Sequence, residues 1–540
     1  MNTARTRRTR LAAMCALPAF TVATAAASTL GARPAGARSA FRGARIVTIE
    51  GGAVRGVAVA GGYTFRGLPY AAPPVRNLRW RAPQPPPPWS GVRDATQFAP
   101  SCPQPAGPFL PPGPISEDCL YLNVTTPAVR SRHRGGHPVL VWIHGGALTQ
   151  GAGRSYDGSK LAGDGIVVVT INYRLGALGF LAHPALASRL GGSAGNYGWM
   201  DQQAALRWVQ RNIAQFGGDR HKVTIGGESA GGLSVLAQLV SPGSRGLFQR
   251  AIVQSGAFAL EQQSLADAEA AGEAFAARAG CPDQTADCLR HLPVADLVSN
   301  FPSVASPGVV DGAVLHESIG TALAAGRFAR VPIINGINHD EQRLFLALGV
   351  AVSGGGAVPV PEPVTAESYQ RVIAAVLDVP AARAAAIAAE YPLDANASAG
   401  VAFSTLASDA NFACPALQVD RWTSKRVPTF AYQFNDDSAP QRFAPSGAVA
   451  PVATHASELQ YIFDLPNAPV PGTLTADQEA LAASMRAAWA NFAASGDPSS
   501  QGTRWPSFGQ SPDVLSLVPP RPQLDPNSVS KHHCSFWSAG

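Results

Sequence analysis

Nine consecutive residues, Thr224-Ile225-Gly226-Gly227-Glu228-Ser229-Ala230-Gly231-Gly232, place one serine among small residues, after a β-branched apolar run and before a stretch of helical period. A strand, a tight turn and a helix in that order leave the turn's hydroxyl standing above the C-terminal edge of a sheet, placed to attack a carbonyl carbon. So sharp a turn tolerates almost no side chain beside the serine, a condition that Gly227 and Gly231 satisfy. Taken alone, a serine framed in this way also fits an ordinary glycine-rich connection whose hydroxyl merely caps a helix. The rest of the chain decides between the two.

Acyl transfer by a serine needs donors for the oxyanion, a base, and an acid that orients the base. In His144-Gly145-Gly146-Ala147 the two glycines free backbone N–H groups to point into a site. Ala230, directly after the serine, offers a third at a helix start, where N–H groups are unpaired and the dipole favours negative charge. Of eleven histidines, two stand out: His339, in Asn338-His339-Asp340-Glu341, and His455, in Ala453-Thr454-His455-Ala456-Ser457-Glu458. When such a serine works with a sheet of this kind, the order along the chain is serine, acid, histidine. Ser229, then Glu341 or Asp340, then His455 meets that order. His339 can act as base only if its acid comes from elsewhere, and His455 on its own reads as a surface histidine on a polar loop.

Elements able to hold these groups alternate along the chain. Val139 to Ile143 is an apolar strand ending at the His144 motif, and Ile166 to Ile171 another ending at Asn172-Tyr173-Arg174. Ala205, Val209 and Ile213, with Leu206 and Phe216, put one buried face on a helix between Gly195 and Phe216. A strand at Val223 to Ile225 leads into Ser229 and a helix carrying Leu233, Leu236 and Leu239; further strands are expected at Ala251 to Val253, Val331 to Ile334 and Thr429 to Tyr432. Alternating strands and helices of this kind predict an α/β fold, a large, mainly parallel central sheet with helices on both faces. Reactive groups then gather at the C-terminal ends of the strands, where all the candidates fall.

The 540 residues show no linker, repeat or long polar tract, so one large domain is expected after a leader. Residues 1–27 have the pattern of a secretion signal: Arg5, Arg7, Arg8 and Arg10, an apolar stretch from Leu11 to Ala23, then Ala25-Ala26-Ala27. That stretch is too short and alanine-rich for a membrane span. Its four arginines account for most of the formal charge of +6, leaving +2. With no basic stripe interleaved with aromatics, nucleic acid is not an expected partner. Cys15 leaves with the signal, and the six remaining cysteines, Cys102, Cys119, Cys281, Cys288, Cys414 and Cys534, suggest three bridges in an exported protein. Their spacing lacks a zinc pattern, and by itself it leaves the pairing open.

The ordered blocks also carry a resemblance. Phe65-Arg66-Gly67-Leu68-Pro69-Tyr70-Ala71, Ser116-Glu117-Asp118-Cys119-Leu120-Tyr121-Leu122-Asn123, His144 to Ala147, Asn172-Tyr173-Arg174-Leu175-Gly176, Gly195-Asn196-Tyr197-Gly198 and Phe216-Gly217-Gly218-Asp219 are among them. With the Gly227 to Gly231 turn, Gln254-Ser255-Gly256 and Cys534-Ser535-Phe536-Trp537, they resemble the type-B carboxylesterase family, which includes cholinesterases and several extracellular lipases. The resemblance spans essentially the whole chain after the leader. It implies the α/β-hydrolase fold and a serine carboxylic-ester hydrolase acting on a small-molecule ester through an acyl-enzyme; the leader and the cysteines make it a secreted one, and the serine chemistry calls for no metal or other cofactor.

Transferred position by position, the family pattern makes Ser229 the nucleophile, Glu341 rather than Asp340 the acid, His455 the base, and Gly145, Gly146 and Ala230 the oxyanion donors. It puts Glu228 and Ser255 immediately behind them and joins Cys102 to Cys119, Cys281 to Cys288 and Cys414 to Cys534. One departure stands out, since the family usually has glycine where this chain has Gln342, a side chain able to narrow the site or to point outward. The segment Pro103 to Asp118 contains Phe109 but no tryptophan, whereas similar cholinesterases hold a quaternary ammonium there on a tryptophan face. It is also short for the flap of the family's lipases. Small to medium esters are therefore expected, with long-chain lipase activity the alternative; the family's non-catalytic adhesion-type members are less apt, because all three triad residues are present.

Overall fold

The computed structural model describes residues 44–538, apart from 108–110, 129–130, 132–134, 187–194, 302–307, 446, 448–449, 451, 501 and 510–513. The leader expected at residues 1–27, Cys15 within it, and Phe109 lie outside the described residues. Residues Ala44–Gly540 form one compact unit.

Among the described residues its frame is a thirteen-stranded sheet. The strands, in chain order, are β1 (Ala44–Ile49), β2 (Gly52–Val59), β3 (Gly62–Pro69), β4 (Val92–Asp94), β5 (Tyr121–Pro127), β6 (His137–Ile143), β7 (Val167–Ile171), β8 (Gly218–Glu228) and β9 (Arg250–Gln254). After a short pair, β10 (Gln263–Ser264) and β11 (Val309–Val310), follow β12 (Ile333–Asn338), β13 (Val350–Ser353), β14 (Gly356–Pro359), β15 (Thr429–Phe434), β16 (Val514–Leu517) and β17 (Gln523–Asp525). The spatial order is β1-β2-β3-β5-β7-β6-β8-β9-β12-β15-β16-β17, with β4 beside β2. From β7 to β16 every neighbour is parallel. The first strands instead form an antiparallel meander, β1 to β2 to β3 to β5 and on to β7. No strand was expected there, because strands such as β1 and β2 alternate buried and half-exposed residues and give no continuous apolar run.

Period-two alternation sends each central strand into two cores. Val139, Val141 and Ile143 join one apolar cluster with Ile225, Val253 and Ile333, against Leu206 and Val209 of one helix and Leu233 and Leu236 of another. Leu140, Trp142, Ile252 and Ile334 face the opposite cluster, where Leu481, Met485, Trp489 and Phe492 of the helix Ala476–Ser495 close over the sheet. Helices thus cover both faces. That last helix opens on a reciprocal cap between Thr475 and Gln478 and ends at Gly496 in the left-handed region.

Among the described residues three disulfides are formed: Cys102–Cys119, Cys281–Cys288 and Cys414–Cys534. The last spans 120 positions and fastens the C-terminal segment to the helix Cys414–Thr423, a constraint on the unfolded chain on the order of 4 kcal/mol.

Candidate active site

Strand β8 ends at Glu228, and the helix Ala230–Val240 begins one residue later, so Ser229 alone makes the turn. It does so at φ 57° and ψ −126°, a backbone conformation that L-residues rarely adopt and that surrounding contacts must hold. Ser229 N donates to Gln254 O at 2.9 Å, and Ser229 O accepts from Leu233 N at 2.9 Å. The flanking glycines are required by close approach: a Cβ on Gly227 would meet the Gly231 backbone at 2.5 Å, and one on Gly231 would overlap Ile143 O. The steric reading of the motif therefore has its cause in the packing of β6 against this turn.

Strand β6 delivers Gly145 and Gly146 beside the serine, a Cβ placed on Gly145 falling 3.1 Å from Ser229 Cβ. Gly146 takes φ 101°, and the turn continues with Ala147 and Leu148 also at positive φ. The loop is braced from behind by His144, which is buried, stacks on Tyr173 at 4.4 Å and receives the Tyr173 hydroxyl at its own carbonyl. Burial lowers the His144 pKa to about 4, so this histidine stays neutral and structural. Gly145, Gly146, Ser229, Ala230, Glu228 and His455 all line one cavity of about 900 Å³.

His455 sits in the loop after β15, on the sheet's C-terminal side, and is 5% exposed. Its Nδ1–H donates to Glu341 Oε2 at 2.6 Å, and Glu341 Oε1 in turn accepts from Asn338 N at 2.8 Å. The other ring nitrogen, Nε2, has no hydrogen-bond partner among the described residues and faces Glu228 Oε1 at 3.1 Å. Phe345 and Phe412 pack their rings against the imidazole at 4.8 and 5.4 Å. Burial alone lowers the basicity of His455, but the carboxylates of Glu228, Glu341 and Glu458 outweigh it and raise its pKa to about 9. Burial raises the Glu228 carboxyl to about 8, opposed by His455 and reinforced by Glu458 and Glu341.

Asp340, the alternative acid, is turned away: it pairs with His339 and with Arg343, each at 2.9 Å. That pairing also occupies His339, the alternative base. Ser255, at φ 48°, donates its N–H to Gly336 O at 2.8 Å, and its buried hydroxyl has no partner among the described residues. Gln342 neither lines the cavity nor points outward, in contrast to both sequence expectations. It is 1% exposed, and its amide is engaged by the backbone of Val352.

Sequence reasoning missed Glu458, three residues after His455 and fully buried. Its carboxylate accepts from Gln254 Nε2 at 2.9 Å and from Asn338 Nδ2 at 2.6 Å. A continuous relay of hydrogen bonds therefore runs from the backbone of Ser229 through Gln254, Glu458 and Asn338 to Glu341 and His455. The only sequence signal was a carboxylate in the same short polar block as the histidine.

The cavity walls are mostly apolar, including Leu148, Leu178, Leu233, Phe258, Phe301 and Leu465, and among the described residues they contain no tryptophan, lysine or arginine. A serine and a histidine that line one mostly apolar cavity, the histidine with one ring nitrogen held by a carboxylate, make an arrangement able to cleave neutral acyl compounds. Comparison with known proteins agrees. The sequence model of the carboxylesterase family matches residues 43–537. Acylcarnitine hydrolase of Mus musculus is 37% identical over 482 residues, covering 85% of this chain and 83% of that protein. Para-nitrobenzyl esterase of Bacillus subtilis (strain 168) is 34% identical over 485 residues, covering 86% and 92%. A solved PNB esterase structure superposes with a TM-score of 0.75 at 32% identity, covering 90% of this chain and 98% of that one.

Proposed function

The chain belongs to the carboxylesterase family and hydrolyses carboxylic esters; from that premise we propose that it does so through Ser229, His455 and Glu341. The observation that carries the assignment is the 2.6 Å bond from His455 Nδ1 to Glu341, which leaves Nε2 as the ring nitrogen not held by that acid in a histidine lining the same cavity as Ser229. His455 takes the Ser229 proton as the oxygen attacks the ester carbonyl; the N–H groups of Gly145, Gly146 and Ala230 stabilise the tetrahedral oxyanion. The imidazolium then protonates the departing alkoxide. Water repeats the sequence on the acyl-enzyme and frees the acid. Glu341 holds the tautomer in which Nδ1 carries the proton, and the pairing of Glu228 with Nε2 stabilises the imidazolium.

Small to medium neutral esters fit the cavity best. Its volume of about 900 Å³ admits such an ester, and among the described residues its walls bear no cation-holding tryptophan and Pro103 to Asp118 contributes a short rim at Pro103, Gln104, Pro105 and Ala106. The test is an acyl series of p-nitrophenyl esters from two to sixteen carbons, below and above aggregation. Specificity should rise with each CH₂, by about 0.8 kcal/mol at most, then fall where the wall is reached, with no jump on emulsification. A maximum at the longest chains with strong interfacial activation would favour a lipase.

Removing the charge of Glu228 should move the pH profile. His455 must be neutral to accept the serine proton, so kcat/KM rises as pH passes its pKa. Above about pH 8, where Glu228 is ionised, its negative charge favours the imidazolium. In Glu228→Gln that support is lost, the imidazolium deprotonates more readily, and the acid limb should shift to lower pH by about one unit or more. A limb that stays put or moves upward would separate Glu228 from His455.

Export is supported by the leader-like residues 1–27 and by the three disulfides, which persist in oxidising compartments. Among the described residues no single helix is long and apolar enough to cross a membrane. Protein recovered from culture medium should begin after about residue 27 as one catalytic domain, and unreduced peptide mapping should join Cys414 to Cys534. Retention inside the cell with an intact N-terminus would reject secretion.

A further inference from the structure

Strands β13 and β14 form a hairpin apart from the main sheet. Residues Gly354 and Gly355, at φ 56° and 85°, make its two-residue loop. A hairpin of two four-residue strands is marginal by itself and keeps a fixed shape only through what anchors it. One of its faces is anchored by Ala351, which packs with Tyr369, Val372 and Phe403 in a separate apolar cluster. The alternate residues Val350 and Val352, with Gly355, Gly356 and Ala357, line the cavity that holds Ser229 and His455.

Another anchor is the residue next to Glu341. Gln342 Nε2 donates to Val352 O at 2.8 Å, and Val352 N donates to Gln342 Oε1 at 3.1 Å, so the side-chain amide pairs with Val352 as a neighbouring strand would. Gln342 N donates to Ser408 Oγ at 3.1 Å, which ties the same residue to the helix Ala399–Ser408. Two backbone groups of a buried strand residue are thereby satisfied by one side chain, and each becomes costly to leave unpaired if that side chain is removed. A glycine at this position offers neither bond.

We propose that Gln342 is a specificity-determining positioning residue, which clamps the β13–β14 hairpin as a rigid wall of the ester pocket and so limits the size of ester that fits. The inference rests on the assignment of Ser229 and His455 to ester hydrolysis. Gln342 does not touch the reacting atoms; it acts through the position of Val350, Val352 and the glycines beyond them. With the clamp intact, an ester too long for the cavity must displace the hairpin. Without it the wall yields.

The test compares wild type with Gln342→Met, which keeps the side-chain length and loses both hydrogen bonds, on p-nitrophenyl esters of two to twelve carbons. The ratio of kcat/KM for the octanoate to that for the acetate should rise about fivefold or more, carried by KM and not by kcat. Hydrogen exchange at the Val352 amide should accelerate about tenfold or more. In Gln342→Glu the buried carboxyl enters neutral, with one donor and one acceptor, and should restore the ratio to within about twofold of wild type. Should Gln342→Met fail to fold, Val350→Ala trims the same wall with the clamp in place and should raise the ratio in the same direction. An unchanged ratio, or an equal fall of kcat on every ester, overturns the proposal, the latter because it would make Gln342 a support for Glu341 alone. Ser229→Ala run in the same assays keeps the two readings apart: residual turnover there removes the nucleophile assignment, whatever Gln342 does.

Discussion

Ser229→Ala should leave a folded protein that hydrolyses p-nitrophenyl acetate slower than wild type by about 10⁵-fold or more. The size of the effect follows from the covalent step. Without Oγ there is no acyl-enzyme, and what remains is the modest help of the oxyanion donors and of binding to attack by water. Folding should survive, because the residue's structural duties rest on its backbone: N–H to Gln254 O and C=O to Leu233 N. Alanine keeps both, and its methyl is smaller than the CH₂OH it replaces. Far-UV dichroism and a thermal melt identical to wild type, with activity lost, is the expected result. Comparable turnover in the folded variant would mean another nucleophile.

The second large effect is a ranking. Glu341→Gln should reduce kcat by about 10³- to 10⁴-fold, whereas Asp340→Asn should cost about tenfold or less. An amide at position 341 can present its NH₂ to His455 Nδ1 and so stabilise the wrong tautomer, with the proton on Nε2 and no base for the serine. Asp340 has a different task. Its oxygens bind His339 and Arg343, and burial raises its carboxyl pKa less than these partners lower it. An asparagine there weakens those two pairings and leaves His455 in place. Steady-state rates of the two variants at the pH optimum of each decide the matter, and the reverse order would transfer the acid to Asp340.

Much of the site was legible because it is local. The glycines around Ser229, the double glycine after β6 and the alternation of strand and helix all record constraints between residues a few positions apart: a steric clash at Gly231, a positive φ at Gly146, a period of two or of four. Those constraints act on the chain wherever it lies, so they leave a mark in consecutive residues. The antiparallel meander before β6 left a weaker mark, since its first two strands alternate buried with more exposed residues and their apolar residues are interrupted.

What the sequence determined by itself, then, was the strand-turn-helix carrying Ser229, the chemistry available to it and the order in which an acid and a base follow. The spacing of residues left Glu341 and Asp340 open and the resemblance alone preferred Glu341; only the tertiary structure showed which of the two faces a histidine 114 positions away, that Glu458 and Gln254 join the relay, and that Gln342 turns back to hold Val352. The physical reason is that neighbouring side chains such as those of Asp340, Glu341 and Gln342 point in different directions from one short turn. Each finds its partner on a different element, and nothing in their spacing distinguishes a carboxylate aimed at Arg343 from one aimed at His455 until those elements are packed together.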